Sequence, residues 1–236
     1  MEQIHFGDHW IGHITLPYLG KLSVHLDTVL TAWLGMAIVI IVSFLATRKL
    51  SRIPNLFQVF AEIVMDFVEN LTVGQIGVEG RGHVTLVGSL FLFVLASNLI
   101  GQLPWKLYHL KQGEFASPTN DINVTAALAI IVLIYYIGAG IYKKGLVGYF
   151  KHYLQPVWFM APMNLMEDIT RPFSLAVRLF ANILAGEIII MVLISILPVG
   201  LPIPVMLFEL FIAFIQAFIF AILSASYVGA ATSDSH

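Results

Sequence analysis

The sequence contains no cysteine and few charged residues. Of its 236 residues only 11% are charged, against about 25% in an ordinary soluble domain. The absence of cysteine excludes disulfides, thiolate metal sites and cysteine nucleophiles. A net charge of −2 gives no electrostatic indication of nucleic-acid binding. The HExxH, Walker-loop and GxSxG patterns are also missing, so we predict no metal site and no cofactor.

Apolar residues are abundant instead. They make up 58% of the chain, and the mean hydropathy is +0.88. A soluble globule of this size could not bury so much apolar surface, so the composition predicts an integral membrane protein. We expect an all-α polytopic protein whose helices share one membrane domain, residues 1–236. Residues 1–27 are polar and lack the basic and then apolar pattern of a cleaved signal peptide.

Five segments have the length and apolarity of membrane-spanning helices. We predict spans at residues 28–46, 85–103 and 122–142, a long helical segment at 157–198 and a last span at 203–229. About 40 helical residues reach about 60 Å, twice the thickness of the hydrocarbon core. The segment 157–198 must therefore be tilted, broken or partly outside the lipid. A turn, LPVGLPIP, separates it from the last helix, and we expect these two long, tilted helices to be antiparallel.

Residues 55–75 have a different pattern. Polar side chains recur at helical spacing at Gln58, Glu62, Asp66 and Glu69, and apolar side chains fill the other face. This pattern predicts an amphipathic helix that lies on the membrane surface rather than spanning it. The alternative is a helix that packs on other protein.

Basic residues indicate the orientation of the chain. One cluster, Arg48, Lys49 and Arg52, follows the first predicted span, and Lys143 and Lys144 follow the third. Both clusters fall on the same side of the membrane in the predicted topology. Because cytoplasmic flanks are enriched in lysine and arginine, we expect the N-terminus outside and the C-terminus in the cytoplasm.

Arg178 lies in the middle of the apolar segment 157–198. A central arginine costs about 2.5–3.5 kcal/mol on insertion scales, so it normally faces a partner or a water-filled cavity. Ser174, Arg178 and Asn182 share one helical face, and Ala181 and Ala185 lie beside them. Small residues around one charge would let another helix approach closely. A structural salt bridge, or an arginine that reaches the membrane interface, is the alternative.

Two glutamates lie on either side of the LPVGLPIP turn. Glu187 is nine residues beyond Arg178 and should point away from it, while Glu209 begins a stripe of small residues flanked by Gln216. If the two long helices are antiparallel, the two carboxyl groups come close together. Two nearby carboxylates in a low dielectric can share one proton, which suits a proton relay. A structural pair that stays protonated is the alternative.

A second polar group precedes Arg178 by one to three turns. Its members are Glu167, Asp168 and Arg171. They could form the polar mouth of a cavity on the opposite side of the membrane. An ordinary cluster of charges at the membrane interface is an equally good interpretation.

At this point the sequence resembles a known family. The run EDITRPFSLAVRLFANILAGE, residues 167–187, resembles the signature of subunit a of the rotary F-type ATP synthase. Residues 202–206 (PIPVM) and 216–220 (QAFIF) resemble the last helix of that family. Residues 117–125 (SPTNDINVT) and Asn98 resemble its middle helices. The likeness extends over nearly the whole chain after the first span and is closest to bacterial, cyanobacterial and chloroplast members.

The resemblance implies a non-catalytic stator subunit with five spanning helices and one amphipathic surface helix. Such a subunit lies beside a ring of c subunits, each with a carboxylate in mid-membrane. Protons pass through two offset half-channels and turn the ring, and a separate soluble head makes ATP. The implied partners are the c ring, the b subunits of the peripheral stalk, the rest of the complex and membrane lipid, without nucleic acid. The implied location is the bacterial plasma membrane, or alternatively the thylakoid membrane.

The resemblance also assigns residues. Arg178 would be the stator arginine, which attracts the ring carboxylate and prevents a direct proton leak. The outer half-channel would contain Asn182, Glu187, Glu209 and Gln216, with Asn98, Asp121 and Asn123 near the ring or that channel. The inner half-channel would contain Asn164, Glu167, Asp168 and Ser174. Two positions depart from common members: Ala181 stands where many have glycine, and Glu209 where some have histidine.

Two other classes of function compete with this interpretation. A self-contained secondary transporter or ion channel could use the same arginine and glutamates to bind a substrate. Five spans without an internal repeat argue weakly against an inverted-repeat transporter. An intramembrane enzyme would need a nucleophile and a base, which the sequence does not offer. Protons are the expected coupling ion, although the choice between protons and sodium depends largely on the ring carboxylate.

Overall fold

The computed structural model describes residues 11–16, 20–48, 54–102, 117–153, 159, 161–197, 200 and 202–233. Within these ranges the chain forms a β-hairpin, six α-helices and two 3-10 segments. The strands are β1 (Ile11–Leu16) and β2 (Gly20–His25). The α-helices are α1 (Leu26–Thr47), α2 (Leu56–Ile76), α3 (Val84–Gln102), α4 (Ile122–Tyr153), α5 (Ala161–Ile196) and α6 (Pro202–Thr232). The 3-10 segments are Val78–His83 and Pro118–Asn120.

The hairpin lies ahead of the first helix. Its strands are antiparallel, with Ile11 opposite His25 and Leu16 opposite Gly20. Strand β2 continues directly into α1, which begins at Leu26. The last residue of the hairpin, His25, is therefore held at the junction between a strand and a helix. The sequence had indicated only a polar segment here.

Five helices are long and apolar enough to cross a membrane. They cover Leu26–Thr47, Val78–Gln102, Ile122–Tyr149, Ala161–Ile196 and Pro202–Thr232. The expected all-helical polytopic membrane protein is thereby confirmed. The 36 residues of α5 reach about 54 Å, so this helix must tilt or extend beyond the hydrocarbon core. The predicted segment ends at residues 103, 157 and 198 lie outside the described residues.

Helix α4 changes direction near its C-terminal end. Gly145 has φ 73° and ψ 160°, a conformation that interrupts the helix and that only glycine adopts readily. The predicted span ends at residue 142, three residues before this break. Lys143 Nζ lies 2.5 Å from Glu79 Oε2, and this ion pair ties the end of α4 to the segment Val78–His83.

Helix α6 lies at the centre of the bundle and packs against α2, α3, α4 and α5. Its small side chains are fully buried, which allows the neighbouring helices to approach closely. They are Ala213, Ala217, Ala221, Ser224 and Ala225. Larger side chains from the neighbours complete the core, among them Val68, Phe91, Val94, Val132, Tyr136, Leu175 and Leu179.

Helix α2 combines the two interpretations of its amphipathic pattern. In its second half, Val68, Leu71 and Thr72 are buried because α2 packs on α3 and α6. In its first half, Phe57 and Phe60 are exposed. Packing on protein therefore applies to the second half, and the first half keeps the exposed apolar side chains that a membrane-surface helix requires. Helix α2 is not among the apolar spans found in the described residues.

Candidate functional site

Helix α5 presents two different polar faces. Nine residues separate Arg178 from Glu187, which is two and a half helical turns and about 13 Å along the axis. The two side chains therefore lie on opposite sides of the helix. Arg178 is exposed, whereas Glu187 is buried with 7% of its surface accessible. Local helical geometry alone keeps these two charges from pairing with each other.

The exposed face carries Arg178 without a carboxylate. One guanidinium nitrogen lies 3.4 Å from Ser174 Oγ, one turn earlier on the same face. Ala181 and Ala185 beside it are exposed as well. Among the described residues no carboxylate lies within ion-pairing distance of Arg178. This geometry argues against a structural salt bridge and leaves the charge available to a group outside the chain.

The buried face carries the two glutamates. Glu209, 5% exposed, reaches from α6 to the backbone of α5 at Gly186. A Cβ atom added to Gly186 would lie 2.5 Å from Glu209 Oε1 and 2.8 Å from Glu209 Cδ. The carboxyl group of Glu209 thus occupies the space that glycine leaves, next to Glu187 in the chain. Both acids are therefore buried, and Glu209 of α6 lies against the residue that directly precedes Glu187 in α5.

A side chain from outside the two long helices holds Glu187. The 3-10 turn Pro118–Asn120 packs against α3, α4 and α5. From this turn Asn120 Nδ2 donates a hydrogen bond of 2.6 Å to Glu187 Oε2. A charge-assisted hydrogen bond of this kind fixes the orientation of the carboxyl group.

Hydroxyl and amide groups continue this polar region toward α6. Ser117 Oγ donates to the carbonyl oxygen of Ser97 at 3.0 Å and lies 2.7 Å from Thr119 Oγ1. Thr119 Oγ1 donates to Asn98 Oδ1 at 2.8 Å, and Asn98 Nδ2 donates to the carbonyl oxygen of Ala213 at 3.3 Å. All these side chains are buried. The network links α3 to α6 one turn beyond Glu209, and Gln216, 6% exposed, lies one turn further along α6.

The same polar region reaches the surface beside the hairpin. Asp121 follows Asn120 directly, and its Oδ1 accepts hydrogen bonds from the backbone and side-chain nitrogens of Asn123 at 2.8 and 2.9 Å. Its Oδ2 lies 3.0 Å from His25 Nδ1. The side chain of Asp121 is 10% exposed and that of His25 is 32% exposed. Water can therefore reach the imidazole, while the carboxylate lies mostly within the protein.

A separate charged cluster lies on α5 before Arg178. Arg171 forms ion pairs with Glu167 at 2.5 Å and with Asp168 at 3.2 Å. Its guanidinium also lies over the ring of Tyr227, 5.4 Å from the centroid. Arg171 thus pairs with both acids, as in an interfacial charge cluster. Asn164, half-buried, lies one turn before Asp168.

The structure divides the sequence-predicted residues into three groups. Those in and beside the buried region are Asn98, Asp121, Asn123, Glu187, Glu209 and Gln216, whereas Asn182, half-buried, lies one turn after Arg178 on the side of the exposed face. Those on the exposed face are Ser174 and Arg178. The remaining group, Asn164, Glu167 and Asp168, is distant from Glu187 by more than ten residues of one helix.

Sequence reasoning missed several polar residues of this region. They are His25, Ser97, Ser117, Thr119 and Asn120. The run SPTND, directly before the third span, could have indicated Ser117, Thr119 and Asn120, because short polar side chains at that place can point back into the bundle. Such a run is also typical of an ordinary loop, so the signal was weak.

Comparison with known proteins fits this architecture. The family model of the ATP synthase A chain matches residues 29–229. A protein of Gloeobacter violaceus named ATP synthase subunit a is 48% identical over 224 residues, which cover 94% of this chain and 89% of that protein. With a match of this extent around an exposed arginine and two buried glutamates, the chain belongs to the ATP synthase A chain family, the non-catalytic membrane-sector subunits of proton-translocating ATP synthases.

Proposed function

We propose that this chain forms both proton half-channels of the ATP synthase stator and that Arg178 faces the passing carboxylates of the c ring. The observation that carries the proposal is the difference between the two polar faces of α5. Its exposed face carries Arg178, which has no carboxylate partner among the described residues, and its other face carries the buried Glu187. Glu209 of α6 is buried against the neighbouring Gly186. Because an arginine in mid-membrane requires a partner, the exposed face fits a carboxylate supplied by another subunit.

The outer half-channel follows the buried polar region. Protons enter beside Asp121 and Asn123 and pass Asn120 to the pair formed by Glu187 and Glu209. Two adjacent carboxyl groups in a low dielectric readily hold one proton between them, so the pair can take up and release a proton in each step. Further hydrogen-bonding groups toward the ring are Asn98, Asn182 and Gln216.

The inner half-channel uses the other part of α5. Asn164 and Ser174 supply hydrogen-bonding groups, and Arg171 keeps Glu167 and Asp168 in place near its mouth. Arg178 lies between the two half-channels. Its charge favours the ionised form of a ring carboxylate and repels a proton that would pass directly from one half-channel to the other.

The basic clusters of the sequence support the orientation, and the exposed face of α5 supports the choice of partners. The hairpin end faces the outside and the C-terminus faces the cytoplasm, in a bacterial plasma membrane or, alternatively, a thylakoid membrane. The exposed face of α5 contacts the c ring, and the b subunits of the peripheral stalk contact another side of the bundle. Protons are the coupling ion. One charge gains about 2.3 kcal/mol per 100 mV, so several protons must pass for each ATP made.

The deciding experiment replaces the exposed arginine. In inverted membrane vesicles that contain the whole complex, Arg178→Ala should abolish ATP-driven acidification, because the ring carboxylate loses its opposite charge. Arg81→Ala is the matched control, since Arg81 is also exposed but pairs with Glu69 on the surface. The control variant should acidify the vesicles at the parental rate.

Assembly must be checked in the same vesicles. The amounts of this chain and of the ring, measured in the purified complex, should be equal in parent and variants. Loss of acidification with normal assembly supports the assignment. Acidification at the parental rate in Arg178→Ala would contradict it, and the charge would then have only a structural role.

A further inference from the structure

The hairpin places a histidine at the surface end of the buried polar region. His25 is the last residue of β2, opposite Ile11 in the hairpin register, and α1 begins at the next residue. Its contact with Asp121 joins positions 96 residues apart in the chain. The hairpin thus has a direct connection to the place where the polar region opens.

The geometry around Asp121 gives its two oxygens separate contacts. Oδ1 accepts two hydrogen bonds from Asn123, which fixes the plane of the carboxylate. Oδ2 then faces His25 Nδ1 at 3.0 Å, a good distance for proton transfer along a hydrogen bond. Because about a third of the His25 side chain is exposed and only a tenth of Asp121, the imidazole is the member of the pair that meets water.

Two aspartates lie close to His25, one in direct contact and one two residues further along the chain. Asp121 comes from the start of α4, and Asp27, 4% exposed, comes from the first turn of α1. Behind them, Asn120 of the 3-10 turn leads to Glu187 of α5. An acidic surrounding attracts protons, and a histidine changes its charge between pH 5 and 8, where free protons are scarce.

We propose that His25 collects protons from the outside water and delivers them to Asp121 at the mouth of the outer half-channel. The imidazole takes one proton from the outside water at Nε2, the nitrogen that does not face Asp121, and becomes imidazolium. The proton on Nδ1 then moves to the carboxylate of Asp121, which becomes the neutral acid. The imidazole is left neutral with its proton on Nε2, and exchange of that proton with water returns it to the starting tautomer. The inference rests on the proposed function and adds one residue to it. When the outside pH is high, the rate at which His25 captures protons determines the rate of conduction.

The test measures passive proton conduction against the outside pH. The membrane sector is reconstituted in liposomes without the soluble head, and a fixed potential is set with potassium and valinomycin. The pH on the side of the hairpin is varied from about 5.5 to about 8.5, which spans the titration of histidine. His25→Gln keeps a hydrogen-bonding side chain but cannot take up a proton.

We expect His25→Gln to lose conduction about fivefold to tenfold near pH 8 and less than about twofold near pH 5.5, because capture is slow only where protons are scarce. His83→Gln is the matched control. His83 is also hydrogen-bonded, with Nδ1 2.9 Å from Tyr135 Oη. It directly precedes the first residue of α3, whereas the buried polar region lies near the last turns of that helix. This variant should keep the parental pH profile. Imidazole in the outside buffer should restore conduction near pH 8 in His25→Ala.

Two results would overturn the inference. One is an unchanged pH profile in His25→Gln, and the other is an equal loss at every pH, which would indicate a purely structural contact. If His25→Gln does not assemble, His25→Asn provides the same comparison. The acidification assay with Arg178→Ala separates the two proposals. If Arg178→Ala abolishes ATP-driven acidification and the pH profile of His25→Gln is unchanged, only the role of His25 fails.

Discussion

At the scale of single residues, one missing side chain sets the position of a buried acid. Gly186 has no Cβ, and the carboxyl group of Glu209 rests in the space that this leaves on α5. The contact places the carboxyl group of Glu209 beside the residue that precedes Glu187. The position of Glu209 therefore requires a small residue at position 186.

Gly186→Ala should disturb this pair. A methyl group 2.5 Å from Oε1 cannot be accommodated, so the carboxyl group of Glu209 must move. Because these atoms are the end of a flexible side chain, they can turn aside at little cost to folding. A displacement that raises the barrier to proton transfer by about 1.4 kcal/mol slows conduction about tenfold. We expect normal assembly with about a tenfold lower rate of passive proton conduction, measured in liposomes.

Two further variants test the cause of that loss. Gly138→Ala is the control, because a Cβ at Gly138 would meet nothing within 4 Å, and conduction should be unchanged. Adding Glu209→Asp to Gly186→Ala shortens the acid and should restore part of the rate. Parental conduction in Gly186→Ala alone would refute this account of the contact.

At the scale of helices, α4 compensates for a proline inside α5. Pro172 has no N–H group, so the carbonyl oxygen of Asp168 loses its helical donor. The hydroxyl group of Tyr136 donates a hydrogen bond of 3.2 Å to that oxygen. Tyr136 is 1% exposed, so the bond lies inside the bundle. The two helices are therefore linked at the point where α5 is weakest.

Tyr136→Phe should weaken this link. The lost hydrogen bond is worth about 0.5–1.5 kcal/mol, which for a chain of this size corresponds to about 1–6 °C. We expect the purified complex to release this subunit at a temperature lower by that amount. Tyr142→Phe, at a residue that is 94% exposed, should have no effect.

A double-mutant cycle identifies the partner. In Pro172→Ala the alanine supplies an N–H group to the carbonyl oxygen of Asp168, so adding Tyr136→Phe should then have little further effect. Full additivity of the two changes would show that Tyr136 stabilises the bundle in another way.

At the scale of the whole molecule, the surface is that of a subunit in a membrane complex. Large apolar side chains are exposed on α1 and α5, for example Trp33 at 69% and Phe173 at 69%. Lipid or other subunits must cover them. On the same surface Arg178 has no carboxylate partner among the described residues. In the proposed function, the outer half-channel leads to this surface and is incomplete without a neighbouring subunit.

The isolated chain should therefore conduct no protons. Reconstituted alone, it should leave the proton permeability of liposomes at the level of protein-free vesicles, because about 13 Å of helix separates Arg178 from Glu187 and no ring carboxylate connects them. Liposomes with the assembled membrane sector are the positive control. Conduction or substrate transport by the chain alone would instead support a self-contained channel or transporter.

Much of the architecture could be predicted from local patterns. Runs of apolar residues predicted the five spanning helices, and the change to an amphipathic pattern distinguished α2. The 3.6-residue period placed Arg178 and Glu187 on opposite sides of α5, because it depends only on residues within one helix. The run of residues 167–187 was sufficient for the family, since its side chains are adjacent in the chain.

Tertiary structure alone decided which side chains meet. The bonds of Asn120 to Glu187, His25 to Asp121 and Tyr136 to Asp168 join residues 67, 96 and 32 positions apart. No local period specifies such pairs, because they depend on how separate helices and turns pack. Packing also decided that Glu187 and Glu209 are buried and that the face of α5 with Arg178 is exposed. The sequence determined the helices and their polar faces, and their assembly determined which of those faces is buried and which stays exposed, because burial depends on contacts between separate helices.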